Sequence, residues 1–588
     1  MKKNTYRILS KIKNQEGDRK LALNYAYKCI ELSDSIKNQT KTEAVAKVNS
    51  LYKYQHTEKE NVQLKIDNEK RKIRNYQFAL FVVLIIFFSL CYIYVLEKKK
   101  KAAIEKEKKI RLLKENQYAE SLDWGGLSNG VQQVLNALFG LILARVLDAS
   151  DYGMVGMLAI FSAIASTIQE SGFTAALTNQ KEIKHEDYNA VFWFSSLTGV
   201  LFYLILFFCA PLIAEFYDKP ELIGLSRIVF LGFLFGGFGI ASNAYLFKTL
   251  MVKERAKIDI VSLICSGFIG VTLALNGFAY YGLAVQTITY IGIGSLLKFI
   301  YAPWKPTFQI DLHPLKLMFG FSSKLILTNI FTQISNNIFS VVLGKFYNPQ
   351  QLGFYSQGQK WMGMGQQLIS GMINSVAQPI LVQIGSDTER QKNVFRKMVR
   401  FGAFVSFPSM LGLAFTGKEF IWILLGEKWL SSVPFLQLFC IWGAVGYLWI
   451  LYTNLLISYG KSDIYLYGIV LTGVLQLIIV GVMFPFGIYS MIIGYVIVYY
   501  VSLLYWHYFV NKILPITILD IIKDIVPYIG AIFVSFLSAH VVVLYIENVY
   551  ITFFLKIIIT MIVYCCIMWF GNSSIFKETL NYIKNEAN

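Results

Sequence analysis

The sequence predicts an all-α polytopic membrane protein: fourteen helices in two six-helix lobes of parallel repeat plus two C-terminal helices, with one extra N-terminal transmembrane helix. Three observations predict it. Of 588 residues, 55% are hydrophobic and only 16% charged, against about 25% charged in an average soluble protein. From Trp124 onward, apolar segments of spanning length recur to the end of the chain. The beginning of that region also resembles the stretch 200 residues later.

Residues 1–77 are polar and basic and contain no proline. Within Asp18 to Ile36, Leu21, Ala22, Tyr25, Ala26, Cys29, Ile30 and Leu32 fall at helical spacing, so an amphipathic helix is expected. Its small/large alternation resembles the second half of a tetratricopeptide repeat. Phe78 to Leu96 is an uncharged 19-residue run that can span a bilayer. Residues 97–123 read as a charged helix or linker. The start, with Lys2, Lys3 and Arg7 leading into a polar stretch, does not read as a cleavable signal. The seven cysteines, mostly inside apolar runs, have no CxxC or metal-like spacing and read as packing residues.

Fourteen apolar segments follow, at about 126–147, 153–177, 188–213, 225–247, 258–275, 279–297, 317–344, 352–384, 398–425, 433–458, 463–485, 487–511, 525–546 and 550–571. They divide into an N-lobe over 124–300, a C-lobe over 301–511, and helices 13 and 14 with a cytoplasmic tail over 512–588. Basic residues favour the cytoplasmic side. If the first segment starts inside, nineteen Lys and Arg fall on inner loops, whereas the outer loops hold only Lys219, Lys345 and Lys428. The net charge of +18 is therefore in part an orientation signal and not a nucleic-acid footprint. A multi-pass protein of a bacterial inner membrane is expected.

Val131 to Gly153 (VQQVLNALFGLILARVLDASDYG) aligns with Phe331 to Gly353 (FTQISNNIFSVVLGKFYNPQQLG). Gln133, Asn136, Phe139, Leu143 and Gly153 coincide with Gln333, Asn336, Phe339, Leu343 and Gly353, and Arg145 falls opposite Lys345. Six spans separate the copies, so they point the same way, related by an axis along the membrane normal.

No Walker glycine loop, HExxH, GxSxG or paired-carboxylate constellation is present. With short external loops, the chain reads as no enzyme, and no metal or cofactor is predicted. The informative residues are polar groups within segments. Gln133, Asn136 and Gly140 share a helical face in segment 1, and Gln333, Asn336 and Asn337 share one in segment 7. Such amides either bond between helices or line a cavity. Their clustering in segments 1, 2, 7 and 8 points to a cavity. Lys324 and Lys360 lie about two turns inside their spans; Arg145 sits at a span end and can snorkel. Glu170 either faces the cavity, pairs with a lysine or caps an inner end.

The stretch WGGLSNGVQQVLNALFGLILARVLDASDYGMVGMLAIF, from Trp124 to Phe161, resembles the first two helices of polysaccharide repeat-unit flippases of the Wzx type. These belong to the multidrug/oligosaccharidyl-lipid/polysaccharide exporter superfamily. ESGFTAAL at Glu170, APLIAEFY at Ala210, FGFSSKL at Phe319, FRKMVRF at Phe395 and GKSDIY at Gly460 extend the resemblance. Residues 1–123 depart from it and resemble a fused sensor fragment. The resemblance implies transport of undecaprenyl-diphosphate-linked oligosaccharide for lipopolysaccharide or capsule biosynthesis. Its implied partners are membrane lipid, a polysaccharide polymerase and glycosyltransferases. On that reading Lys324, Lys360 and Arg145 attract the diphosphate, while Gln133, Asn136, Gln333, Asn336 and Glu170 contribute to the substrate site. A drug or small-solute antiporter of the same superfamily is the alternative.

Overall fold

The computed structural model describes residues 2–35, 113–170, 177, 183–383 and 387–587. The chain forms two compact units, residues 1–109 and 110–588.

In the first unit, Lys2–Gln15 and residues 19–35 form an antiparallel helix pair joined at Gly17, whose φ of +83° suits a residue without Cβ. Tyr6 stacks on Tyr25 at 6.0 Å, and Ser10 donates to the Ala22 carbonyl at 2.9 Å. The amphipathic helix expected at 18–36 is thus present and packed on a partner. The predicted anchor at 78–96 lies outside the described residues.

Among the described residues of the second unit, helices overlap each of the stretches read as apolar segments. In chain order they are segment 1 (Leu113–Val146), segment 2 (Ala149–Met157 and Ala159–Glu170), segment 3 (His185–Tyr217), segment 4 (Leu222–Val229 and Leu231–Lys248), segment 5 (Val252–Leu275) and segment 6 (Tyr280–Tyr301). The C-lobe holds segment 7 (His313–Phe346), segment 8 (Pro349–Gln383), segment 9 (Thr388–Phe415 and Gly417–Leu424), segment 10 (Val433–Ser458), segment 11 (Ser462–Met483) and segment 12 (Ile488–Ile513). Segment 13 (Ile518–Val543) and segment 14 (Val549–Phe570) follow. Segment 1 reaches back at least to Leu113, within the stretch read as a charged helix or linker, since the charged residues before Trp124 are good helix formers.

Ten of these helices are long and apolar enough to cross a membrane, counted over the described residues. They are segments 3–6 and 9–14. Segments 1, 2, 7 and 8, which carry the amides, glycines and charges already noted, are not among these ten, and Ser128–Val146 with Ala149–Met157 reaches spanning length as a pair bent by 115°. A helix of that composition is stable in a bilayer when protein covers its polar face.

The internal repeat is visible in three dimensions. In the first copy Leu135, Phe139, Leu143 and Ala144 are buried; in the second, Ser335, Phe339, Leu343 and Gly344 are. Across the lobe boundary a Cβ added to Gly153 would run into the Pro349 carbonyl, and one added to Gly353 into that of Ala149. Each residue of one contact lies 200 positions from its counterpart in the other. That reciprocity is the mark of a two-fold relation, and only glycine permits backbones so close.

One element was not foreseen. Ser574–Ala587, read as tail, is a helix whose Ile575 is buried and whose Phe576 packs against Phe404 at 6.0 Å. On the side assigned to the inside, Arg396 of segment 9 grips Asp524 of segment 13 with two hydrogen bonds, 2.7 and 3.0 Å. The basic FRKMVRF motif is thus partly a structural clamp.

Candidate functional site

Segments 1 and 8 meet where the lobes meet. Lys360 reaches Gly140 of segment 1, where an added Cβ would lie 2.6 Å from its ammonium. Among the described residues no carboxylate or hydrogen-bond acceptor holds that ammonium. Beside it the Gln133 amide donates to the Gln367 side chain across the boundary at 2.6 Å. Gly140 makes room for the lysine, so the face of Gln133, Asn136 and Gly140 does turn toward the other lobe. Asn136 and Asn336, its equivalent in the repeat, are both exposed. Asn337 bonds back to the Gln333 carbonyl at 2.9 Å within its own helix. The side chain of Lys324 lies outside the described residues.

Arg145 stands apart from Lys360. Its guanidinium donates to the carbonyls of Ile423 and Leu424, where segment 9 ends. Lys428 donates to the Leu147 carbonyl at 2.6 Å and pairs with Asp148 at 3.1 Å, and the buried indole of Trp429 donates to the Ala144 carbonyl at 2.7 Å. In the second copy Lys345 pairs with Asp218, just past segment 3, at 2.7 Å. Two of the three lysines counted on the outer side, together with Arg145, therefore tie one lobe to the other. Carbonyls at a helix C-terminus carry partial negative charge and suit a cation.

Glu170 lies in another place. It lines a cavity of about 340 Å³ inside the N-lobe with Gln169, Asn243, Asp259 and Lys298. Gln169 is committed to the Ser195 and Phe233 carbonyls at 3.2 and 2.8 Å, holding segments 2, 3 and 4 together. The corresponding helices of the C-lobe, with segment 7, enclose a cavity of about 310 Å³. Its lining includes Asn329, Asn336, Gln366, Trp442, Trp449, Tyr465, Gln476, Tyr495 and Tyr499, and no charged side chain among the described residues. The N-lobe cavity could have been suspected from Asp259 and Lys298, charges just inside apolar segments. The aromatic one draws on five segments and leaves no local spacing to read. Lys556, a charge inside segment 14, pairs with Glu419 at 2.8 Å.

Residues 142–434 match the family of polysaccharide biosynthesis proteins. The teichuronic acid biosynthesis protein TuaB of Bacillus subtilis (strain 168) is 25% identical over 346 residues, which are 58% of this chain and 72% of that protein. An uncharacterized membrane protein in the cps region of Klebsiella pneumoniae is 24% identical over 78% of this chain and 96% of its own. The lipopolysaccharide biosynthesis protein WzxC of Escherichia coli (strain K12) is 23% identical over 54% and 65%. Among solved structures, the lipid II flippase MurJ in an inward closed conformation superimposes with a TM-score of 0.63 at 16% identity, covering 78% of this chain and 99% of that one. The chain thus shares the fold of that structure, and its ten helices of spanning length, counted over the described residues, make it an integral multi-pass membrane protein.

Proposed function

We propose that the protein moves lipid-linked oligosaccharide precursors, carried on undecaprenyl diphosphate, across the inner membrane by alternating access. One observation carries the reading: Lys360, inside a span and at the boundary of the lobes, has no counter-charge among the described residues. A cation so placed is costly unless an anion joins it. A diphosphate is such an anion, and a lysine ammonium is a compact phosphate ligand. The amides of Gln133, Asn136, Gln333 and Asn336 would accompany it on sugar hydroxyls, with Lys324 adding charge. Arg145 serves the closure of the outer side, and Glu170 belongs to the N-lobe cavity. Names of the relatives and the MurJ fold support the substrate class.

The test is transport of a fluorescent undecaprenyl-diphosphate oligosaccharide in proteoliposomes. Lys360→Ala lowers the rate at least about tenfold, an effect of about 1.4 kcal/mol on the anion; a rate equal to the parent's removes Lys360 from the site. A small-solute antiporter is the second reading, favoured by the Glu170 and Asp259 carboxylates in the N-lobe cavity. Dye efflux driven by a proton or sodium gradient, without lipid transport, would decide for it.

A further inference from the structure

We propose that the C-lobe cavity between segments 7, 8, 10, 11 and 12 is a binding site for one uncharged sugar ring. The proposal rests on the flippase reading, under which the ring belongs to the lipid-linked precursor. A pyranose offers two chemistries at once: hydroxyls around its rim, and faces of C–H groups that settle on the negative face of an aromatic ring. The cavity offers the complement of both.

Its wall is aromatic and stiff. Trp449 stacks on Tyr499 with ring centres 5.1 Å apart and planes within 7°, and Trp442 meets Tyr499 and Tyr495 edge-on at 5.4 and 6.0 Å. Rings braced in this way lose little freedom when a ligand arrives. Its rim is amide. Asn329, Asn336 and Gln366 have no hydrogen-bond partner among the described residues, and the buried indole N–H of Trp442, beside the Tyr499 hydroxyl, has no well-aligned acceptor among them. An orphaned buried donor costs free energy that a ligand hydroxyl would recover. At about 310 Å³ the cavity is at the small end of ligand sites, roughly 300–1,000 Å³, and suits one ring and not a chain of them.

Charge selects the ligand. The repeat-related N-lobe cavity, of about 340 Å³, holds Glu170, Asp259 and Lys298, whereas the C-lobe cavity has no charged side chain among the described residues of its lining. A phosphate or a uronate placed there would be buried without a counter-ion. The site also adjoins the lobe boundary: Gln366 lines it, and the next residue, Gln367, accepts from Gln133 of the opposite lobe. A ring seated here therefore lies beside the boundary at which Lys360 waits for phosphate.

The experiment uses the full chain in lipid nanodiscs and four probes: undecaprenyl diphosphate alone, the same lipid bearing one N-acetylglucosamine, the same lipid bearing one glucuronate, and free methyl glucoside. The N-acetylglucosamine lipid binds about tenfold tighter than the bare and the glucuronate lipids. Trp442→Phe and Gln366→Ala each abolish most of that increment while leaving the dissociation constant of the bare lipid unchanged, which also reports that they fold. Equal affinity for the bare and N-acetylglucosamine lipids, or equal losses for both in the variants, overturns the sugar site and leaves the flippase reading in place. Binding of methyl glucoside, lost in Trp442→Phe, with no binding of any lipid diphosphate keeps the site and overturns the flippase reading.

Discussion

Gly140 and Gly353 show how one residue type serves two ends. A methyl group at Gly140 would meet the tip of the flexible Lys360 side chain; at Gly353 it would meet the backbone of Ala149. Gly140→Ala should therefore leave thermal stability in detergent nearly unchanged while reducing lipid transport, because the displaced ammonium no longer sits at the boundary. Gly353→Ala should cost about 1–3 kcal/mol, the usual penalty of overpacking, seen as a lower unfolding temperature. Equal stability of the two variants would show that the backbones part easily. Gly140 could be placed on the polar face from its spacing to Gln133 and Asn136 alone, and Lys360 stands out as a charge in a span. That these two residues touch could not be read, since 220 positions separate them.

Among the helices, polarity and position coincide. Segments 1, 2, 7 and 8, which carry amides inside apolar runs, meet across the lobe boundary: Gln133 bonds to Gln367, Gly140 receives Lys360, Gly153 and Gly353 meet Pro349 and Ala149, and Gly344 abuts Met157. This was legible because amides inside apolar runs are conspicuous. The break of segment 2 at Leu158 and the helix Ser574–Ala587 were not: the first depends on where neighbours pack, and the second is short and half polar. The latch at the outer ends is a property of elements, since Arg145 and Lys345 each close the terminus of one helix onto the other lobe. Replacing both by methionine should loosen that side. With a reporter cysteine at Asn136 in an otherwise cysteine-free chain, labelling by an impermeant maleimide added outside should rise several-fold. Unchanged labelling would mean that Trp429 and the glycine contacts hold the seal unaided.

At the scale of the molecule, the two ends of the chain differ in chemistry. Residues 1–123 carry 27 basic and 15 acidic residues, whereas the remaining 465 carry 28 and 22. A chain of residues 110–588 behind an initiator methionine should restore surface glycan in a flippase-deficient host to within about twofold of the full chain. Loss of all glycan with the truncated protein present in the membrane would assign the first unit a part in transport. The two-lobe architecture was legible from five identities in phase with hydropathy, because a duplication leaves its period in the sequence however far the side chains drift. What had drifted was the interior of each lobe, charged in one and aromatic in the other, and no period reports that.

The reciprocal contacts of Gly153 with Pro349 and of Gly353 with Ala149 carry a practical corollary. An interface built twice has a spare: when one copy is damaged, its twin, 200 residues away, still bears the load. Scanning this boundary one residue at a time will understate it, and its full strength will emerge only when both members of a twin are changed together.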